Sequence, residues 1–313
     1  MHIIKHRNLY FILPAVLVAL SFLSILVFGL TAGVDLKGGA LLEVSYLPAL
    51  PAQAGQAGEG GRPPIEEVRQ RASALPLGEV RVQPTGETGL IIRSRDVTVG
   101  EKDALLQALS FDTFLAKEER FTSIGPTIGK ELRSKAWIAI VLVSLSTVLY
   151  IAFVFRHVSK PVASWKYGAI SIVTLLHDIV IPTGMFAVLG RLFGAEVDSL
   201  FIVALLTILG ISINDTIVVF DRIRENLRVN IERHIKEPFE TTVGKSVDQT
   251  ITRSINTSMT VIIALLALYF FGPGSTRMFS LTLTVGMVAG TYSSIFLASP
   301  LLIVWEKFAR RAK

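Results

Sequence analysis

Six apolar stretches, each long enough to cross about 30 Å of hydrocarbon, restrict this chain to one kind of fold. They run over residues 9–30, 136–155, 167–190, 199–220, 256–271 and 279–304. Within lipid every backbone N–H and C=O must be satisfied internally, so stretches of this length predict six membrane-spanning helices. The fifth is short and is expected to begin a few residues earlier, taking in 253–255. Composition agrees: 51% of the 313 residues are hydrophobic and only 18% are charged, and the mean hydropathy is +0.55. The first stretch follows Lys5, His6 and Arg7 as a signal peptide would. It is longer than a signal-peptide core and no small-residue cleavage site follows, so it is expected to remain as an anchor.

The net charge of +6 raises the question of nucleic acid as a partner. The basic residues answer it by clustering in links between spans: Arg156, Lys160 and Lys166 after the second, and Arg222, Arg224, Arg228, Arg233, Lys236 and Lys245 after the fourth. Lys307, Arg310, Arg311 and Lys313 close the chain. The positive-inside rule then places both termini in the cytoplasm, and membrane topology accounts for the charge without nucleic acid. The links 191–198 and 272–280 carry one basic residue each and are expected outside. The absence of cysteine excludes disulfides, thiolate metal sites and cysteine nucleophiles, and the five histidines show no metal-ligand spacing, so no metal or cofactor is expected.

After the first helix (1–30), residues 31–135 form a polar segment of small-domain size that must then be extracytoplasmic. Its pattern predicts strand 40–46, helix 65–75, strands 79–83 and 89–94, helix 100–109 and a strand near 118–123. That βαββαβ order predicts an α+β, ferredoxin-like sheet with helices on one face. Residues 48–64, rich in Pro, Ala, Gly and Gln, are expected to lack regular structure. Helices two to six occupy 136–305 with a cytoplasmic loop at 221–252, and 306–313 form a basic cytoplasmic tail.

Asp215 lies inside the fourth apolar stretch. An ionisable side chain at that depth costs roughly 2.5–3.5 kcal/mol on insertion scales, which points to a proton, an ion or a buried partner rather than to chance. Ser212, Asp215, Val219 and Arg222 share one helix face by spacing, with Asn214 and Thr216 widening the polar patch. Asp215 precedes Arg222 by two helical turns, roughly 10 Å from the basic boundary. Arg253, Asn256 or Thr257, and Thr260 form a second polar stripe at overlapping depth. Arg253 near Asp215 would hold the acid ionised, and its withdrawal would let the acid take a proton; Arg253 as an anchor that snorkels to the interface is the alternative. Asp178, with His177 beside it, adds an acid near the middle of the third span. Asp178, His177, Asn256, Thr257 and Thr260 fit either a polar path or hydrogen bonds between helices. Gly286, Gly290 and Ser294 form a small-residue stripe suited to close helix packing.

The motifs Gly33-Val34-Asp35-Leu36-Lys37-Gly38-Gly39, Ser123-Ile124-Gly125-Pro126-Thr127-Ile128-Gly129, Leu176-His177-Asp178, Ser212-Ile213-Asn214-Asp215, Phe220-Asp221-Arg222-Ile223-Arg224-Glu225-Asn226 and Thr252-Arg253-Ser254-Ile255-Asn256-Thr257-Ser258 resemble the SecF family. Its members are the smaller of the paired SecD and SecF subunits that assist protein export. The Gly38-Gly39 pair is expected to turn the first span directly into a strand, with Asp35 and Lys37 capping or pairing there. The resemblance implies a six-helix half-bundle of the RND type in the plasma (inner) membrane. It also implies SecD as the other half, the SecYEG channel and YajC as neighbours, and a translocating preprotein as substrate. In that family the residues matching Asp215 and Arg253 are held to belong to the proton path. The implied protein is not an enzyme but a subunit coupling proton flow to late translocation. The alternatives are a passive scaffold for SecD and SecYEG, an intramembrane aspartyl protease using Asp178 and Asp215, and half of a small-molecule exporter.

Overall fold

The computed structural model describes residues 7–48, 61–111, 114–154 and 162–311. Lys5, His6, Arg156, Lys160 and Lys313 lie outside the described residues, as does most of the segment 48–64 expected to be irregular. The chain divides into two compact units, one of residues 31–136 and 196–199, the other of 1–30, 137–195 and 200–313.

In the smaller unit the expected βαββαβ order is present: β1 (Gly39–Pro48), α3 (Ile65–Ser73), β2 (Arg81–Thr85), β3 (Gly89–Ser94), α4 (Val99–Ala108) and β4 (Phe114–Ile124), preceded by a one-turn helix α2 (Val34–Lys37). The sheet order is β2-β3-β1-β4 with every neighbouring pair antiparallel, the topology of a ferredoxin-like fold. Along β1, Ala40, Leu42, Val44 and Tyr46 are buried at alternate positions and pack with Val68 of α3 and Leu105 of α4. Helix α4 starts where Thr98 and Glu101 form a capping box, each side chain accepting the other's backbone N–H.

The expected direct passage from the first span into a strand is not what the chain does. Ala32 bridges Val197, Gly33 N–H donates to the Val197 carbonyl at 2.8 Å, and α2 intervenes before β1. Asp35 then accepts the backbone N–H of Ser199 at 3.1 Å and so satisfies an orphan donor at the head of the helix that begins there. Gly38 has φ 85°, and a Cβ on it would lie 2.6 Å from the Cα of Pro126; one on Gly129 would lie 2.5 Å from the Gly38 nitrogen. The two Gly-containing motifs, remote in sequence, interlock at a contact that admits no side chain.

Among the described residues of the larger unit, six helices are long and apolar enough to cross a membrane. They are α1 (Arg7–Phe28), α5 (Pro126–Val154), whose first residues belong to the smaller unit, α6 (Ser164–Phe193), α7 (Ser199–Glu232), α8 (Phe239–Phe271) and a last span in three pieces. Those pieces are α9 (Gly274–Tyr292), a π-helical segment (Ser293–Ala298) and α10 (Ser299–Arg311). Pro300 has no N–H to close a regular turn, which accounts for a widened turn ending there.

Several helices outrun their apolar stretches, and the segment 221–252, expected as a loop, is mostly helix. An apolar stretch marks only the part that must face hydrocarbon, whereas a helix continues wherever one face stays packed. Beyond Phe220, α7 and α8 are joined by polar side chains. Asn226 donates to Ser246 at 2.8 Å and to Gln249 at 2.9 Å, Arg222 donates to Gln249 at 2.6 Å, and Asn230 donates to Thr242 at 3.1 Å. The larger core gathers residues of α5 to α8, the π-helical segment and α10, including Tyr167 edge-on to Phe220 with ring centroids 5.1 Å apart.

Candidate functional site

Helix α7 buries the face that the spacing defined: Ser212, Asp215, Thr216 and Val219 all lie inside the unit, Asp215 with 6% of its surface exposed. Ser258 of α8 donates to the Asp215 carboxylate at 3.3 Å, and Thr216 donates to the Ser212 carbonyl at 3.2 Å. Arg222, at the end of the face, turns to Glu225 at 2.6 Å and to Gln249 rather than to Asp215. Asn214 is exposed and does not join the buried patch, since adjacent helical residues point about 100° apart.

The stripe on α8 is displaced from the one inferred. Arg253, Asn256, Thr257 and Thr260 are exposed, and Thr260 donates to the carbonyl of Asn256 in its own helix at 2.8 Å. Thr250, Ser254 and Ser258 face inward instead. One residue of rotation separates the two stripes, and packing on α7 selects the smaller hydroxyls, which allow close approach. Their four-residue spacing is a sequence signal that bulkier polar neighbours obscured. Arg253 attracts Asp215 electrostatically without forming an ion pair with it.

A second centre is more completely enclosed. Asp178 has no exposed surface and receives the hydroxyls of Ser212 on α7 and Ser293 in the π-helical segment, the latter at 2.8 Å. His177 Nδ1 lies 2.7 Å from its other oxygen. The structure thus unites Asp178 with His177, with Ser212, which the spacing had placed only on the Asp215 face, and with Ser293 of the π-helical segment. Its neighbour Ser294 is buried too but donates to the Thr291 carbonyl of its own helix at 3.1 Å. Gly286 and Gly290 sit against α7: a Cβ on Gly286 would lie 2.2 Å from Ile208, and one on Gly290 would lie 3.0 Å from the Ser212 Cβ. Ser212, Asp215, Gly286, Gly290 and Thr291 line one narrow cleft. No cluster of metal-ligating side chains occurs among the described residues.

Membrane-length helices with two buried carboxylate centres, together with a ferredoxin-like unit, define a multi-pass membrane protein with ionisable groups inside its spans. A family model described as "Protein export membrane protein SecD/SecF, C-terminal" matches residues 106–308, and the chain belongs to that family. It is 40% identical to the protein translocase subunit SecF of Thermobaculum terrenum, covering 97% of this chain and 93% of that one. The corresponding values for SecF of Anaerolinea thermophila are 36%, 98% and 94%. A protein translocase subunit SecDF of Brucella abortus is 32% identical over 88% of this chain, which spans 33% of that longer protein. Among solved structures, SecDF from Thermus thermophilus, "a translocon-associated membrane protein", superposes with a TM-score of 0.78 at 28% identity, covering 98% of this chain and 39% of that one.

Proposed function

We propose that this chain is the SecF-type half of a Sec export complex, in which protonation of Asp215 drives helix movement that assists late preprotein translocation. The observation that carries the reading is a carboxylate in a membrane-length helix, nearly sealed from solvent and held by one serine hydroxyl, with the Arg253 guanidinium within electrostatic reach. Proton entry at Asp215 removes the attraction to Arg253 and lets α7 and α8 repack. The likeness of the chain to about a third of a SecDF protein supports SecD as the other half. SecYEG, YajC and the preprotein are further proposed partners, by extension from the family. The topology that goes with this reading is the inner membrane with both termini cytoplasmic and 31–135 outside.

Energetics set a limit. One charge crossing 100 mV yields about 2.3 kcal/mol, whereas reversing a 1:99 equilibrium takes about 5.5 kcal/mol. A single proton moved by the potential alone falls short, so the pH gradient, further protons or substrate binding must contribute. The protease alternative needs two carboxylates sharing a proton at close range; here Asp178 and Asp215 engage different hydroxyls, Ser212 and Ser293 on one and Ser258 on the other. The protein is accordingly read as a translocation subunit and not as an enzyme. The test is Asp215→Asn in vesicles: proton-dependent stimulation of export should disappear while the complex still assembles. Undiminished stimulation would reject the relay and leave the scaffold.

A further inference from the structure

We propose that the Ser254 hydroxyl holds an ordered water that connects Asp215, through Ser258, to the open end of the α7–α8 hairpin. This rests on the reading of Asp215 as a relay and supplies the route its proton takes. Ser246, Thr250, Ser254 and Ser258 recur at every fourth position of α8, and each is buried. Both ends of that row meet α7: Ser258 donates to the Asp215 carboxylate at 3.3 Å, and Ser246 accepts from Asn226 at 2.8 Å. Ser254, between them, faces the same helix. A helical hydroxyl commonly donates to a carbonyl one turn back, as Ser246 does to Thr242 at 2.8 Å and Thr250 does to Ser246 at 3.0 Å. Ser254 departs from that habit. It has 2% of its surface exposed, and its Oγ has no hydrogen-bond partner among the described residues.

Helical register sets Ser254 between the Ser258–Asp215 pair and the Gln249–Arg222 pair, level with Val218 and Val219, whose side chains offer neither donor nor acceptor. A buried hydroxyl left in that position is costly, and a water with further polar neighbours removes the cost. The neighbours are at hand. Ser258 and Thr250 stand one turn away on either side, roughly 6 Å along the helix, which is about the span of one water making two bonds of about 2.8 Å. Both hydroxyls already donate elsewhere and keep lone pairs with which to accept from that water. A proton leaving Asp215 then passes to Ser258 Oγ as Ser258 gives its own proton to the water, and the water hands one on past Thr250, so no net charge stays in the seam. Beyond Thr250, Asn226 joins Ser246 to Gln249, the latter bond at 2.9 Å, and Gln249 is exposed. In the topology proposed above, that end is cytoplasmic.

The experiment is water-edited 13C NMR of serine-labelled full-length protein in liposomes, with Ser254→Ala and Ser258→Ala assigning the two signals. The expected result is transfer of magnetisation from water to both serines. In Ser254→Val, which keeps the bulk and removes the hydroxyl, transfer to Ser258 should fall at least about twofold, because the water has lost its central partner. Ser254→Thr keeps a hydroxyl and should restore it. The Ser254→Ala protein serves in place of the valine variant if that one does not fold. A Ser254 signal that water does not reach, or a Ser258 signal indifferent to the loss of the Ser254 hydroxyl, would overturn the proposal. Proton-dependent stimulation of export should fall severalfold in Ser254→Val and recover in Ser254→Thr; full stimulation in the valine variant would overturn the link to Asp215. The NMR readout does not depend on export, and in Asp215→Asn the Ser254 signal should stay hydrated, so failure of the Asp215 relay and failure of this water site are separate results.

Discussion

Ser258 is the one side chain among the described residues that hydrogen-bonds Asp215. Removing it as Ser258→Ala leaves a buried acid without that partner, a change expected to cost about 1–3 kcal/mol of stability, read by thermal unfolding in micelles. The same substitution in an Asp215→Asn background should cost less, and equal losses in the two backgrounds would show that the bond contributes nothing. Gly286 is constrained by shape rather than charge. A leucine there meets Ile208 and should destabilise the bundle by about 1–3 kcal/mol, with Ile208→Ala restoring much of the loss. Asp215, Asp178 and Gly286 were legible because each residue type is expensive or unusual where the pattern put it. Ser258 and Ser293 were not, because a serine in a membrane helix is unremarkable until a partner fixes its direction.

At the scale of elements, the head of α4 offers a pH signature. The Arg95 guanidinium and the Thr98 cap hold the Glu101 carboxyl down to about 2. A carboxylate depressed on folding contributes stability that is present above the unfolded value, near 4.3, and is lost as the pH falls through the folded one. Glu101→Gln should therefore unfold more readily than the parent protein at pH 7 and match it near pH 2, in melting followed by circular dichroism. The hairpin of α7 and α8 carries the same sign: Lys245 and the hydrogen bonds of Thr242 and Asn230 keep the Glu237 carboxyl below its ordinary range, so this contribution too weakens with acid. Strand and helix order in the smaller unit followed from alternation and turn residues, since each short element carries its own period. The true lengths of α7 and α8 did not, because polar residues that look like loop in sequence become interior once the two helices pair.

At the scale of the molecule, the chain matches SecF proteins nearly end to end and about a third of a longer SecDF relative. Mild detergent extraction of the tagged chain is expected to bring down a partner with six spans of its own, detected by mass spectrometry; a chain recovered alone at native expression would count against the two-half assembly. Within the smaller unit, Arg93 and Glu196 form a largely buried ion pair at 2.9 Å. Removing one partner, as in Glu196→Ala, strands the other charge and is expected to cost several kcal/mol, more than any exposed pair in the same unit.

The sequence by itself determined that six helices are long and apolar enough to cross a membrane, that a βαββαβ unit stands between the first two, and that Asp215 and Asp178 are buried. Hydrophobic period and length settle these through local physics: backbone satisfaction in lipid and the insertion cost of a charge. Only tertiary structure decided which hydroxyls meet those acids, that Arg253 is exposed, and that two glycine motifs interlock at Gly38 and Gly129. Those outcomes depend on how one helix is rotated against another, and a rotation of about 100° exchanges one polar stripe for its neighbour without altering the pattern along the chain.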